Sequence, residues 1–208
     1  MAEAPVKDFP LFALGIVALP TESVPLHVFE ERYRTMIEEC LDGESEFGIV
    51  WLSEEELKPV GCACEVEQVL ERLDDGRLNI LARGTRPFLL LERQDDLPYP
   101  AGQVEFLGES EEEPDEEAAQ AARELYRELV SEATDRELAE PELRMMDAYQ
   151  MAATVEFNVE DKQELLELRS ENARLQLLAQ LLQAALERLD LLERAQARAL
   201  SNGKVRFA

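Results

Sequence analysis

The chain has 208 residues, of which 46% are hydrophobic and spread over most of its length. That is enough for one large domain, or for two of roughly 100 residues each with a core of its own, and it excludes a disordered chain. Its 46 acidic against 21 basic residues give a formal net charge of -25, a surface that repels nucleic acid and anionic lipid, because phosphate binding depends on Lys and Arg displacing counterions.

The first apolar run, "MAEAPVKDFPLFALGIVALP", is interrupted by Pro10, Gly15 and Pro20 and has no basic segment before it, so it does not read as a secretory signal. No stretch approaches the roughly 18 apolar residues of a membrane helix. Three cysteines cannot all pair within one chain. The expected setting is therefore cytoplasmic and reducing, away from membranes.

From Phe9 to about Gly108 short β-rich runs alternate with Pro and Gly: "FALGIVAL", "SVPLHVF", "FGIVWL", "CACEVEQVLE", "RLNILARG", "PFLLLE" and "QVEFLGE". This texture predicts a small curved or closed sheet. Within it "FEERYRTMIEECL" places Phe29, Tyr33, Met36, Ile37, Cys40 and Leu41 at helical spacings, which predicts one amphipathic helix stopped by Gly43.

The stretch "CACEVEQVLERLDDGRLNILARG" predicts a hairpin turning at Asp75-Gly76. Counting alternate positions places Cys62, Cys64, Val66 and Leu70 on its dry face and Glu65, Glu67 and Glu71 on the other, with Arg83 and Arg77 as cross-strand partners. On that count the two thiols are core residues, since a zinc site needs about four Cys or His ligands and only Cys40 and His27 are left to join them. No metal or other cofactor is expected.

"ESEEEPDEE", Glu109 to Glu117, is self-repelling and reads as a connector. After it "EEAAQAARELYRELVSEA" predicts a helix with Ala119, Ala122, Leu125, Tyr126, Leu129 and Val130 on one face. "PELRMMDAYQMAATV" predicts a second helix, "VEDKQELLEL" after the cap Asn158 a third, and the segment from Ser170 a long fourth. In the fourth, Leu175, Leu178, Leu182, Ala185, Leu189 and Leu192 alternate spacings of three and four, a seam suited to packing against neighbouring helices or to self-association. The expected organisation is α+β: residues 1–110 β-rich, 111–118 an acidic connector, and 119–208 an α-helical bundle ending in a long helix.

No catalytic constellation emerges. His27 is the only histidine and lies opposite Val24, Leu26 and Val28 in an alternating run, as a rim residue. There is no G-x-x-x-x-G-K-[ST] phosphate loop.

Three stretches, "FPLFALGIVALPTESVPLHVFEERYRTMIEE", "VGCACEVEQVLERLDDGRLNILARGTRPFLLLE" and "EDKQELLELRSENARLQLLAQLL", together resemble the N-terminal domain of Lon proteases in a form without the ATPase and peptidase modules. The resemblance implies a PUA-like β-barrel or pseudo-barrel with one helix, a helical bundle after it, and a non-catalytic role in holding protein substrates. The expected partners are unfolded or partly folded polypeptides and a separate protease, not nucleic acid. Peptide-binding candidates are Pro25, Leu26, Phe29 and Tyr33, with Arg86 and Phe88 after the hairpin, because apolar and aromatic side chains anchor such contacts. The alternatives are an interaction protein that docks one dedicated partner, or self-associates, through its last helix, and a small-molecule pocket in the barrel.

Overall fold

A computed structural model describes residues 4–202, except 55, 95 and 135. Residues 1–3 and 203–208, the ends of the two expected segments, lie outside it. The described chain contains strands β1 Val6–Leu14, β2 Ser23–Val28, β3 Phe47–Leu52, β4 Leu57–Arg72, β5 Leu78–Gln94 and β6 Ala101–Phe106. Its helices are α1 Glu31–Gly43, α2 Glu116–Thr134, α3 Glu140–Met145, α4 Ala148–Ala152, α5 Val159–Glu167 and α6 Glu171–Asn202. They form two compact units, Met1–Glu111 with Asp147–Glu171, and Glu112–Met146 with Asn172–Ala208.

In the first unit the six strands run in the order β2-β5-β4-β3-β1-β6, and β6 also pairs with β5, so the ladder returns on itself. All pairings are antiparallel except β1 with β3, whose connection passes through β2 and α1. β5 takes two neighbours on the same side: its first part, Leu78 to Arg83, carries β2, and its last part, Phe88 to Gln94, carries β6. "RLNILARG" and "PFLLLE", expected as separate strands, are thus one 17-residue strand. Nothing local breaks it, because Thr85 is absorbed as a bulge and bonds to the Ala63 carbonyl at 3.1 Å.

Phe9, Leu11, Val50, Ala63, Phe88 and Val104 form the core of the closed part. The Phe88 ring, edge-on to Phe9 at 5.5 Å, fits only because two neighbouring strands carry glycine. A Cβ on Gly48 or Gly61 would stand 2.6 Å or 2.7 Å from it. α1 covers a second cluster through Tyr33, Met36, Ile37 and Cys40, with Tyr33 against Phe12 at 4.0 Å. It runs through Gly43, and the left-handed residue that ends it is Glu44, at φ 47°, not the expected glycine. The turn still closes, since Ser45 N–H reaches the Cys40 carbonyl at 3.0 Å.

The segment expected as one helix after Pro141 is two. Met146 is extended, and Asp147 starts α4 with a capping box in which its carboxylate accepts from Gln150 N–H and the Gln150 side chain accepts from Asp147 N–H. α4 and α5 then group with the sheet, unlike the expected scheme in which every helix after the acidic connector belongs to one bundle. The reason is visible in α5. Asn158 caps it at 2.7 Å, Gln163 reaches the β4 carbonyl of Val60 at 3.1 Å, and Lys162 makes an ion pair with Glu22 in which both side chains are largely covered.

In the second unit α2 buries Ala119, Ala122, Tyr126 and Leu129, as its spacing predicts, while Leu125 and Val130 lie half-buried. α6 buries Leu175, Leu178, Leu182 and Leu186. The expected seam is followed only in its first half, for Ala185 is half-buried and Leu192 is exposed. No described helix is long and apolar enough to cross a membrane.

Candidate functional site

The outer half of the β4–β5 hairpin, with β2, presents a partly apolar surface of the first unit. β2 pairs with β5 on one side and, among the described residues, has no strand on the other. Its alternation is the expected one: Leu26 and Val28 are buried and Val24 half-buried, while Ser23, Pro25 and His27 are exposed. Pro25 suits an edge strand because it has no N–H to offer a ladder. α1 braces the hairpin tip from its own side, Arg34 donating to the Asp75 carbonyl at 2.9 Å and Glu38 pairing with Arg72. Gly76 turns the chain at φ 84°.

Two irregularities in β4 change what this arm exposes. The register steps between Val66 and Gln68 and again between Val69 and Glu71, so Glu67 and Leu70 are extra residues facing no partner on β5. Beyond the first step the parity inverts. Val69, not Leu70, continues the covered side, and Leu70 is 52% exposed instead of lying on the dry face.

Pro25, Leu26, His27, Leu70, Asn79 and Ile80, with Glu71, consequently line a shallow hollow of about 510 Å³. Phe29 stands at its end, 59% exposed, its ring stacked on His27 at 5.8 Å. The polar groups around it are tied together. His27 Nδ1 lies 2.6 Å from Asn79 Oδ1, Asn79 donates to Glu71 at 2.8 Å, and Glu67 accepts from Ser23 at 2.9 Å and from Arg83 at 3.3 Å. Glu65 faces Arg83 in register as expected, but Arg83 pairs with Glu67, and Arg77 pairs with Asp75 inside the turn. Such fixed side chains leave Pro25, Phe29 and Leu70 as apolar anchors on a surface already paired in its polar groups.

The six expected peptide-binding residues do not form one site. Pro25 and Phe29 belong to this face. Leu26 lines the hollow but, at 9% exposure, shows it little surface, and Tyr33 and Phe88, at 5% and 0%, are core residues outside it. Arg86 lies on a different hollow, of about 450 Å³, with its guanidinium 3.6 Å over the Phe106 ring and 3.0 Å from Glu46. There Tyr99 donates to Glu39 at 2.6 Å, and burial together with that carboxylate pushes its phenol well above the ordinary range. On β5 Arg86 is five residues beyond Leu81, the partner of Pro25, a run of roughly 17 Å. Sequence reasoning missed Leu70 and treated His27 as incidental. One hint was available: the alternation that put Leu70 on the dry face also put Gln68 there.

Cys62 and Cys64 have no exposed surface and Cys40 very little. Burial raises the thiol pKa of Cys62 and of Cys40, keeping both in the protonated, unreactive form.

A family model described as the ATP-dependent protease La (LON) substrate-binding domain matches residues 8–184. Among solved structures, the crystal structure of a Lon N-terminal domain protein from Xanthomonas campestris superposes with a TM-score of 0.63 at 24% identity, over 82% of this chain and 95% of that one. The N-terminal domain of a Mycobacterium avium complex Lon protease gives 0.66 at 20% identity, over 85% and 98%. At these identities the structural matches establish the shared mixed α and β fold.

Proposed function

Because the chain belongs to the family of the Lon substrate-binding domain, matched over residues 8–184, we propose that it binds unfolded or partly folded polypeptides, without bond-making chemistry of its own. The observation that carries this reading is the apolar triad of Pro25 on the edge strand, Phe29 just after it and Leu70 on the bulged hairpin, all three exposed around one hollow. Exposed aromatic and aliphatic anchors beside a free strand suit an extended segment of varied sequence, which brings backbone groups to the edge and apolar side chains to the hollow.

The ladder that returns from β6 to β5 supports reading the sheet as a PUA-like pseudo-barrel, and the charge supports a cytoplasmic protein partner over nucleic acid. A separate protease that receives the bound polypeptide completes the proposal.

The test is an array of peptides from denatured proteins, probed with the folded protein. Binding in the micromolar range is expected, concentrated on peptides with aromatic or branched apolar residues. Absence of any signal at concentrations on the order of 10 μM would sink the reading.

A further inference from the structure

The second unit holds a group of arginines that its acidic composition does not foreshadow. Along one stripe of α2 lie Glu116, Gln120, Arg123, Glu124 and Arg127, and facing them from α3 are Glu140 and Arg144; together they line a polar groove of about 660 Å³. Glu140 serves two of the cations at once, accepting from Arg127 at 2.7 Å and from Arg144 at 3.2 Å. Glu124 accepts from Gln120 at 2.9 Å.

The Nε atoms of Arg123 and Arg127 are buried and have no hydrogen-bond acceptor among the described residues. A guanidinium is charged at every physiological pH, and a buried donor on it without an acceptor is expensive, so native proteins satisfy such groups with side chains, water or a ligand. Arg123 and Arg127 lie one helical turn apart on one groove wall, so the two donors are neighbours.

We propose that this groove binds a carboxylate, with Arg123 as its principal partner. The planar fork of Arg123 matches a carboxylate through two parallel N–H···O bonds, and Arg127 offers a second donor beside it. The charge balance selects the ligand class. Glu140 holds Arg127 and Arg144 and leaves Arg123 without an ion-pair partner among the described residues, while Glu116 and Glu124 bring the lining to three carboxylates against three arginines, with no net positive charge to hold a dianion. A singly charged, planar group fits, and phosphate does not. Its source is either a free small carboxylic acid or the C-terminal or acidic side-chain carboxylate of a polypeptide. These residues are distinct from the Pro25–Phe29–Leu70 face, and the site stands or falls without it.

The side-chain Nε–H resonances of arginine in the full chain provide the readout. Sodium acetate is titrated at constant ionic strength against sodium chloride and sodium phosphate. Acetate is expected to move the Arg123 and Arg127 signals at concentrations on the order of 10 mM, with chloride and phosphate leaving them in place. An acetylated peptide with a free C-terminus, compared with its amide, then identifies the source. Tighter binding of the free acid, by about tenfold or more over both the amide and acetate, assigns the groove to a polypeptide terminus; equal affinity of the free acid and acetate assigns it to small acids. Arg123→Gln is expected to abolish the shifts, and Arg136→Gln, whose native residue pairs with Glu142 outside the groove, to retain them, both variants keeping the parent's circular dichroism and melting temperature. Should Arg123→Gln lose its fold, the wild-type comparison of acetate with chloride decides alone. Signals that move equally with chloride, or not at all, overturn the proposal.

Discussion

In the inner half of the β4–β5 hairpin Cys62 and Cys64 sit at alternate positions with no exposed surface, whereas in the outer half Leu70, which continues their parity, is 52% exposed. Both halves belong to the same two strands and differ in register. The inner half is pressed between β3 and the rest of the closed ladder, and its register step falls on β5, where the extra residue Thr85 is tied to the Ala63 carbonyl, so the alternation along β4 itself is kept there. The outer half is tied to β2 and to α1, and there two extra residues are tolerated. The comparison teaches that a bulge can move an apolar residue from the inside of a sheet to its surface without altering the composition of the strand.

The largest effect is expected from the inner half. Phe88→Ala removes a fully buried ring from the cluster it shares with Phe9 and Val104, at a cost of about 3–5 kcal/mol, read as a drop in the urea midpoint. A change no larger than that of a surface substitution would mean the inner half is not the stability-determining part.

Next come two neighbouring substitutions that separate the halves directly. Val69→Asp places a charge on the covered side of the arm and is expected to destabilise by about 1–3 kcal/mol. Leu70→Asp, one residue on, is expected to stay within about 0.5 kcal/mol of the parent. Strict alternation along β4 requires the opposite order, so the pair of denaturation curves decides whether the bulges are present in solution.

These contrasts also show how far the sequence could be read. The Asn158 cap, the α2 face and the Asp75-Gly76 turn rest on residues close to each other in the chain, and the structure has them where spacing puts them. Phe88 was misassigned because its burial depends on Gly48 and Gly61, contributed by two other strands. The break before α4 was legible as Asp147-x-x-Gln150 but was overridden by the helical composition on either side. Glu67 and Leu70 are extra only with respect to β5, so no count along β4 alone could reveal them, although Gln68 was out of place in the expected pattern. The arginine groove, built from a stripe on α2 and two residues of α3, has no contiguous signature at all.

A smaller effect, on binding and not on folding, tests what the outer half is for. Phe29→Ser with Leu70→Ser removes two exposed anchors, and the affinity for denatured-protein peptides is expected to fall by about tenfold or more, near 1.4 kcal/mol, with the urea midpoint unchanged. Unchanged affinity in a folded double variant would move the binding surface away from this arm.

The smallest expected effect concerns the hairpin tip and depends on pH. Asp75 accepts a hydrogen bond from Arg77 N–H at 3.1 Å and pairs with the Arg77 side chain at 2.7 Å. The backbone bond first, and then the guanidinium, hold its carboxyl below the usual range. A carboxylate whose folded pKa is depressed lends its support above the unfolded value, near 3.9, and loses it as pH falls through the folded value. Because the pair is exposed, salt weakens it. The carboxyl resonance of Asp75 should therefore titrate below that of an ordinary Asp. Exchange of the Arg77 amide, corrected for its intrinsic pH dependence, should rise over that same range while the amides flanking Phe88 stay protected. Asp75→Asn keeps an acceptor in the turn and removes the titration, so its tip should exchange with little dependence on pH. A midpoint at the ordinary value would mean that the tip is held by Gly76 and the Arg34 bond to the Asp75 carbonyl, and that the outer half owes its shape to backbone geometry alone.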